Sequence, residues 1–83
     1  MGSPYKAIAD DIRRDILILL SKGDLIAGDI SNKFNLSKPA ISNHLTNLKD
    51  ANLVSEKKVQ QNRIYSLNKS EIRKIKNYLE KLL

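Results

Sequence analysis

No cysteine occurs anywhere in the 83 residues. Disulfides, thiolate metal sites and cysteine nucleophiles are excluded together, and the chain suits a reducing compartment such as the cytoplasm. Histidine occurs once, at His44. A transition-metal site draws on several nitrogen or sulfur ligands, so neither a metal nor any other cofactor is expected. The three glycines stand at positions 2, 23 and 28, which makes no phosphate-cradling loop. No Ser/His/Asp arrangement offers a credible base, so no catalytic residue is assigned and an enzyme is not expected. The longest apolar run, Ile16 to Leu20, is far too short to cross a bilayer, and membrane insertion is not expected. Met1 to Asp10 has no sustained apolar stretch of the kind a secretory signal needs. Lys6 stands where a myristoylation signal wants Ser or Thr.

What is present is charge of one sign in one half. Residues 1–36 carry five Lys/Arg and five Asp, whereas residues 37–83 carry ten Lys/Arg and four Asp/Glu, so the whole net charge of +6 lies in the second half. Such asymmetry points to a polyanionic partner, although a basic face kept for solubility has the same composition. The length allows one domain. A chain this short buries only ~60–65% of the surface it exposes when unfolded, so its core is small and a partner subunit would extend it.

Helical periodicity dominates. In Asp11–Lys22, Ile12, Ile16, Leu19 and Leu20 share one helix face, with Asp10 as N-cap and Gly23 as terminator. An Asp10–Arg14 pair at i,i+4 and helix capping account for the acidic cluster at 10, 11 and 15 better than a divalent ion does. Tyr5 to Ala9 reads as a short preceding helix. A helix over Ala27–Asn35 carries Ala27, Ile30 and Phe34 on one face, and Asn35 can close it in a left-handed conformation. Ser37 then caps a helix running to about Ala51, with Pro39 in its first turn and Ile41, Leu45 and Leu48 as its buried stripe. These two helices form a helix-turn-helix unit over about 27–51. Two strands follow, Leu53–Lys58 and Arg63–Leu67, joined by Val59-Gln60-Gln61-Asn62, which makes a hairpin over about 53–67. The last helix spans about 69–83. Asn68 and Glu71 have capping-box spacing at its start. Ile72, Ile75, Leu79 and Leu82 recur along it at a/d spacing, flanked by Tyr78.

The fold class expected is therefore mainly α with a small β-hairpin, a dimeric winged helix-turn-helix. Opposite its apolar stripe, the helix from Ser37 shows Lys38, Ser42, Asn43, Thr46 and Asn47. These are mostly short, uncharged hydrogen-bonding side chains, whereas a helix selected for solubility favours Glu/Lys pairs. Asn and Ser can bond base edges in a major groove, and Lys38 can meet a phosphate or a guanine. The capped N-terminus offers further N–H groups to a phosphate. A polar surface helix in a small bundle is the competing reading of the same residues. His44 likewise has two readings: a partly packed residue beside Ile41 and Leu48, or a hydrogen-bond donor to the DNA backbone.

The segments YKAIADDIRRDILILL, SKPAISNHLTNLKDANLV and RIYSLN resemble, in order, the opening helices, the recognition helix with its exit, and the second wing strand of the ArsR/SmtB winged-helix regulators. The most specific part is S-x-P-A-I-S-x-H-L-x-x-L-K-x-A-x-L-V. The resemblance covers nearly the whole chain. It implies recognition residues at Ser37, Lys38, Ser42, Asn43 and His44, and a wing tip with Lys57, Lys58 and Arg63 on the minor groove or backbone. It also implies a homodimer built from the first and last helices, with Tyr5, Ile72, Ile75, Tyr78, Leu79 and Leu82 at the interface. Two departures stand out. Gln60 replaces a common wing glycine, so Asn62 is expected to supply a left-handed residue. Ile26 replaces a common Ser/Thr cap, so the third helix is expected to be less well capped.

The family's metal ligands are missing. Its thiolate site would fall at Ile26 and Gly28, and the last helix offers Glu71 and Glu80 without a histidine. The chain thus resembles a metal-ligand-lacking branch, similar to the sporulation-delaying-protein autorepressors, in which a protein partner relieves repression. The function expected is a sequence-specific, metal-independent repressor of double-stranded DNA. The alternative is a winged-helix protein-interaction module without a DNA site of its own.

Overall fold

Short polar residues begin most of the helices. In the computed structural model, which describes residues 2–83, the elements are α1 (Pro4–Ala7), α2 (Asp11–Leu20), β1 (Leu25–Ile26), α3 (Ala27–Phe34), α4 (Lys38–Asp50), β2 (Val54–Val59), β3 (Asn62–Leu67) and α5 (Lys69–Glu80). The side chains of Ser3, Asp10 and Ser37 accept from the backbone N–H of Lys6, Arg13 and Ala40, satisfying donors that a helix start otherwise leaves free. Ile26 caps α3 with no side-chain bond, as expected. The capping box expected for α5 does not form. Asn68 instead donates to the Asn52 carbonyl at 2.8 Å and accepts from Ser70 Oγ, so it ties the helix start back to the exit of α4.

Asparagine shapes both ends of the α4 unit. Asn35 takes φ 51° and closes α3, which makes the turn of the helix-turn-helix. Asn52 takes φ 63°, with its own N–H on the Lys49 carbonyl and the Leu53 N–H on the Leu48 carbonyl. That pair of bonds is a Schellman closure, with Asn in the place glycine usually fills. It turns the chain from α4 straight into the wing.

The sheet has three strands, not the two expected. β1 pairs antiparallel with β3, Leu25 opposite Tyr65 and Ile26 opposite Ile64, giving the order β1-β3-β2. A two-residue strand has no periodicity to read, so hydrophobic patterning does not reveal it. The hairpin itself runs Val54 opposite Leu67 to Val59 opposite Asn62. Its left-handed residue is Gln60, at φ 56°, rather than Asn62.

Ile16, Ile30, Ile41, Leu45, Leu48, Leu53 and Val54 are fully buried and form the centre of the core. Each such side chain contributes roughly 1.5–3 kcal/mol by burial. Leu17 is also buried, whereas Ile12 and Leu19 are only partly so; α2 ends at Leu20 rather than Lys22, and α5 at Glu80 rather than at the last residue, so Leu82 lies past the helix. The α2 N-terminal pairing is also shifted. Arg14 pairs with Asp11 and donates to the Ile8 carbonyl at 2.7 Å, so the Asp10–Arg14 pair is not made. Among the described residues no helix is long and apolar enough to cross a membrane.

Because the turn needs a left-handed residue, substitutions at Asn35 should divide by backbone preference. Asn35→Val should lose about 1–2 kcal/mol of stability, while Asn35→Gly should lose little. Urea unfolding followed by circular dichroism measures both. Equal midpoints for the two variants would contradict this account of the turn.

Candidate nucleic-acid interface

The buried stripe Ile41, Leu45 and Leu48 fixes the rotation of α4, so the opposite face is set by the helical repeat. Lys38, Ser42, Asn43, Thr46 and Asn47 are all exposed there. Ser42 and Thr46 are four residues apart, as are Asn43 and Asn47, giving two adjacent polar rows. Asn47 Nδ2 donates to the Asn43 carbonyl at 3.0 Å, which leaves the Asn43 side chain free. Ser37 is exposed, but its Oγ is occupied by the cap, accepting from the Ala40 N–H at 3.3 Å.

His44 does not share that face. Its ring is mostly buried, and Nδ1 lies 3.8 Å from Asp10 Oδ2 without a hydrogen-bond partner. The helical repeat turns its Nδ1 toward the start of α2, surroundings that fit the packed reading. The backbone N–H of Arg13 holds the Asp10 carboxyl below its ordinary value, and His44 and the Arg13 charge add to that. Among the described residues no group of three or more His, Cys, Asp or Glu side chains is close enough to hold a metal ion.

Strand alternation divides the wing cations. Lys58 and Arg63 are cross-strand partners two positions from the Glu56–Tyr65 pair, so these four residues share one face of the hairpin. Lys57 pairs with Ile64 on the other face. A cleft of about 280 Å³ opens between α3, α4 and β3, lined by Lys38, Ser42, Ile41, Leu45, Arg63 and Tyr65 among others. Helix α4 and the hairpin thus bring cations and hydroxyls to one concavity.

Sequence reasoning does not single out the polar cluster behind it. Tyr65 Oη donates to Glu56 Oε2 at 2.8 Å, Lys49 Nζ stands 3.7 Å from the same oxygen, and Arg63 Nη1 stands 3.7 Å from Oε1. A signal for it exists: residues 56 and 65 are equally far from the Gln60-Gln61 turn, which makes them cross-strand partners. The Tyr65 hydrogen bond holds the Glu56 carboxyl below the usual range, helped by Lys49 and Arg63. Burial, and the Glu56 carboxylate, push the Tyr65 hydroxyl up.

Residues 10–56 match the family model described as bacterial regulatory protein, arsR family. The chain belongs to the ArsR family. It is 46% identical to the transcriptional repressor SdpR of Bacillus subtilis, over 95% of this chain and 88% of that protein. The structure of HlyU from Vibrio cholerae superposes with a TM-score of 0.79 at 33% identity, covering 94% of this chain and 85% of that one. A possible transcriptional regulator for arsenical resistance superposes with a TM-score of 0.86 at 27% identity, covering 93% and 80%. The winged helix-turn-helix architecture is common to the two superposed structures, and the chain is a DNA-binding transcriptional regulator rather than an enzyme.

The shifted groups give a pH dependence whose sign is fixed. Lowered folded values for Asp10 and Glu56 mean stability that is present above the ordinary carboxylate range and lost as pH falls through those lowered values. The raised Tyr65 value acts at the other end, with stability present below about pH 10 and lost as pH rises past it. Tyr65→Phe removes the main cause of the Glu56 shift. Urea midpoints should therefore fall less between about pH 5 and pH 3 in this variant than in the unmodified protein. An equal fall in both would mean that the tyrosine does not govern Glu56.

Proposed function

We propose that the chain is a metal-independent transcriptional repressor that binds a two-fold DNA site as a homodimer in the cytoplasm. The observation that carries the DNA assignment is the exposed, mostly uncharged polar face of α4 beside a cationic wing. Such a helix, set in the major groove by its N-terminal half, can read base edges through Ser42, Asn43 and Thr46. Lys38 at the helix start, with Lys57, Lys58 and Arg63 in the wing, supplies phosphate contacts. The named function of SdpR supports repression as the outcome. Release of the DNA by a protein partner, rather than by a metal, fits a chain without cysteine and with one histidine.

The dimer reading rests on one face. Tyr5, Tyr78, Leu79 and Leu82 are each about half exposed or more, and the Tyr5 and Tyr78 rings meet edge to face at 5.5 Å. Ile75 is buried within its own chain and Ile72 is partly covered, so these two support the face from behind. A two-fold partner would bury the exposed four and space two recognition helices for half-sites about 34 Å apart.

Selection of bound duplex from a random pool supplies the operator for the first test. Asn43→Ala should weaken binding to that duplex by about 1–3 kcal/mol for each base edge it no longer reads, and leave random duplex nearly unchanged. Lys57→Ala with Lys58→Ala should weaken both and flatten the salt dependence by roughly 0.9 units of slope for each phosphate no longer neutralised. Stoichiometric zinc, added to the same titration, should change neither affinity, and a loss of about 5-fold or more would contradict metal independence. If Asn43→Ala weakens both duplexes alike, α4 is not the sequence reader.

Assembly has its own test. Sedimentation of the unmodified chain at micromolar concentration should give a dimer, and Leu79→Glu should give a monomer, because a carboxylate in that face would be buried without a partner. A folded monomer for the unmodified chain would refute the dimer.

A further inference from the structure

Glu56 is the only acidic residue between positions 51 and 70, in a wing that also carries Lys57, Lys58 and Arg63. A carboxylate there repels DNA, so by charge alone it weakens every complex the wing enters. Its surroundings are equally particular. Oε2 accepts from the Tyr65 hydroxyl at 2.8 Å and faces Lys49 Nζ at 3.7 Å, while Oε1 faces Arg63 Nη1 at 3.7 Å. One side chain therefore joins β2, β3 and α4. Lys49 and Arg63 are well exposed, and exposed ion pairs of this kind add little to stability. The ion pairs therefore do not explain an acid in this place, and the Tyr65 hydroxyl could equally donate to a neutral glutamine.

We propose that Glu56 is a specificity-determining positioning residue: it holds the Tyr65 ring in the cleft beside the recognition helix and offsets the charge of Lys49 and Arg63, so that binding by charge alone is held down. The inference rests on the DNA-binding reading above. On random DNA, affinity comes almost entirely from phosphate contacts, and the carboxylate opposes it in full. On the operator the same repulsion applies, but a wing already held at its working angle needs less ordering on binding. The ratio of the two affinities is what Glu56 raises. The Tyr65 ring, buried and lining the cleft beside Ser42 and Lys38, is the rigid part through which the carboxylate acts. The two cations sit beyond normal hydrogen-bond length, so each can leave for a phosphate without breaking the Tyr65 bond.

Two substitutions separate charge from position. Glu56→Gln keeps the size and an acceptor for Tyr65 but removes the charge. Tyr65→Phe keeps the charge but removes the strut. Affinity is measured for the selected duplex and for random duplex across a salt series, with urea midpoints confirming that both variants fold. Glu56→Gln should bind random duplex more tightly, with a salt slope steeper by roughly 0.9 units for each further phosphate neutralised. Its operator-to-random ratio should fall. Tyr65→Phe should lose operator affinity with its salt slope unchanged. A residue with only a structural role would lower both affinities in Glu56→Gln and leave the slope alone. Normal salt-dependent binding by the unmodified protein, with slope and ratio unchanged in Glu56→Gln, would overturn this inference alone. Absence of salt-dependent binding by the unmodified protein would overturn the DNA-binding reading along with it.

Discussion

Ile41, Leu45 and Leu48 have essentially no exposed surface, and α4 cannot turn about its axis without bringing at least one of them into water. Exposing one such side chain costs roughly 1.5–3 kcal/mol, a large part of the 5–15 kcal/mol that stabilises a whole domain. That lock makes the outer face of α4 a defined surface rather than a mobile one. The polar residues opposite the stripe need no packing of their own to be held in place. They are free to be chosen for hydrogen bonding, and all but Lys38 are short, so little side-chain entropy is lost when they meet a partner.

The wing is held to this helix at two levels. The backbone level is β1, which pairs with β3 and then runs without a break into α3, so the hairpin is fastened to the helix-turn-helix by main-chain bonds. The side-chain level is Glu56, which reaches Tyr65 across the hairpin and Lys49 on α4. The first fastens the base of the wing and the second its inner face. Beyond them only the tip remains, and there Gln60 holds a left-handed backbone that a glycine would adopt without steric cost. The tip's chemistry is therefore carried by the flanking cations and its shape by the ladder behind it.

Helices α2, α3 and α4 are legible in the sequence because their apolar spacing, caps and turn residues agree with one another: Asp10, Asn35 and Ser37 each mark an end that the periodicity also marks. Features resting on one or two residues are not legible. β1 has no period, and the left-handed turns at Asn52 and Gln60 compete with many equivalent polar positions. The polar face of α4 is exposed as the sequence implies, since it follows from the stripe. Sequence does not resolve His44, because its place between the two faces leaves both directions open until Asp10 is seen 3.8 Å away. Glu56 escapes for a related reason. In a basic segment a lone acid reads as background, and only strand register shows that it faces Tyr65.

Helix α5 is where fold and proposed assembly meet. It has twelve residues and buries one of them, Ile75. A helix of that length is marginal in water on propensity alone, and its stability must come from packing. Its own chain supplies Ile75, the partly covered Ile72 and the edge contact of Tyr78 with Tyr5. The Tyr5 contact is with α1, four residues long and itself dependent on neighbours for order. The two elements with the least internal support therefore meet at the Tyr5–Tyr78 contact, and the exposed apolar face they offer is these two rings with Leu79 of α5 and Leu82 just past its end. In the proposed dimer that face becomes interior, and the ordering of α1 and α5 is driven by the same burial that joins the subunits. Folding of these helices and association then form one linked equilibrium, in which a partner that separates the subunits would also loosen the ends of each.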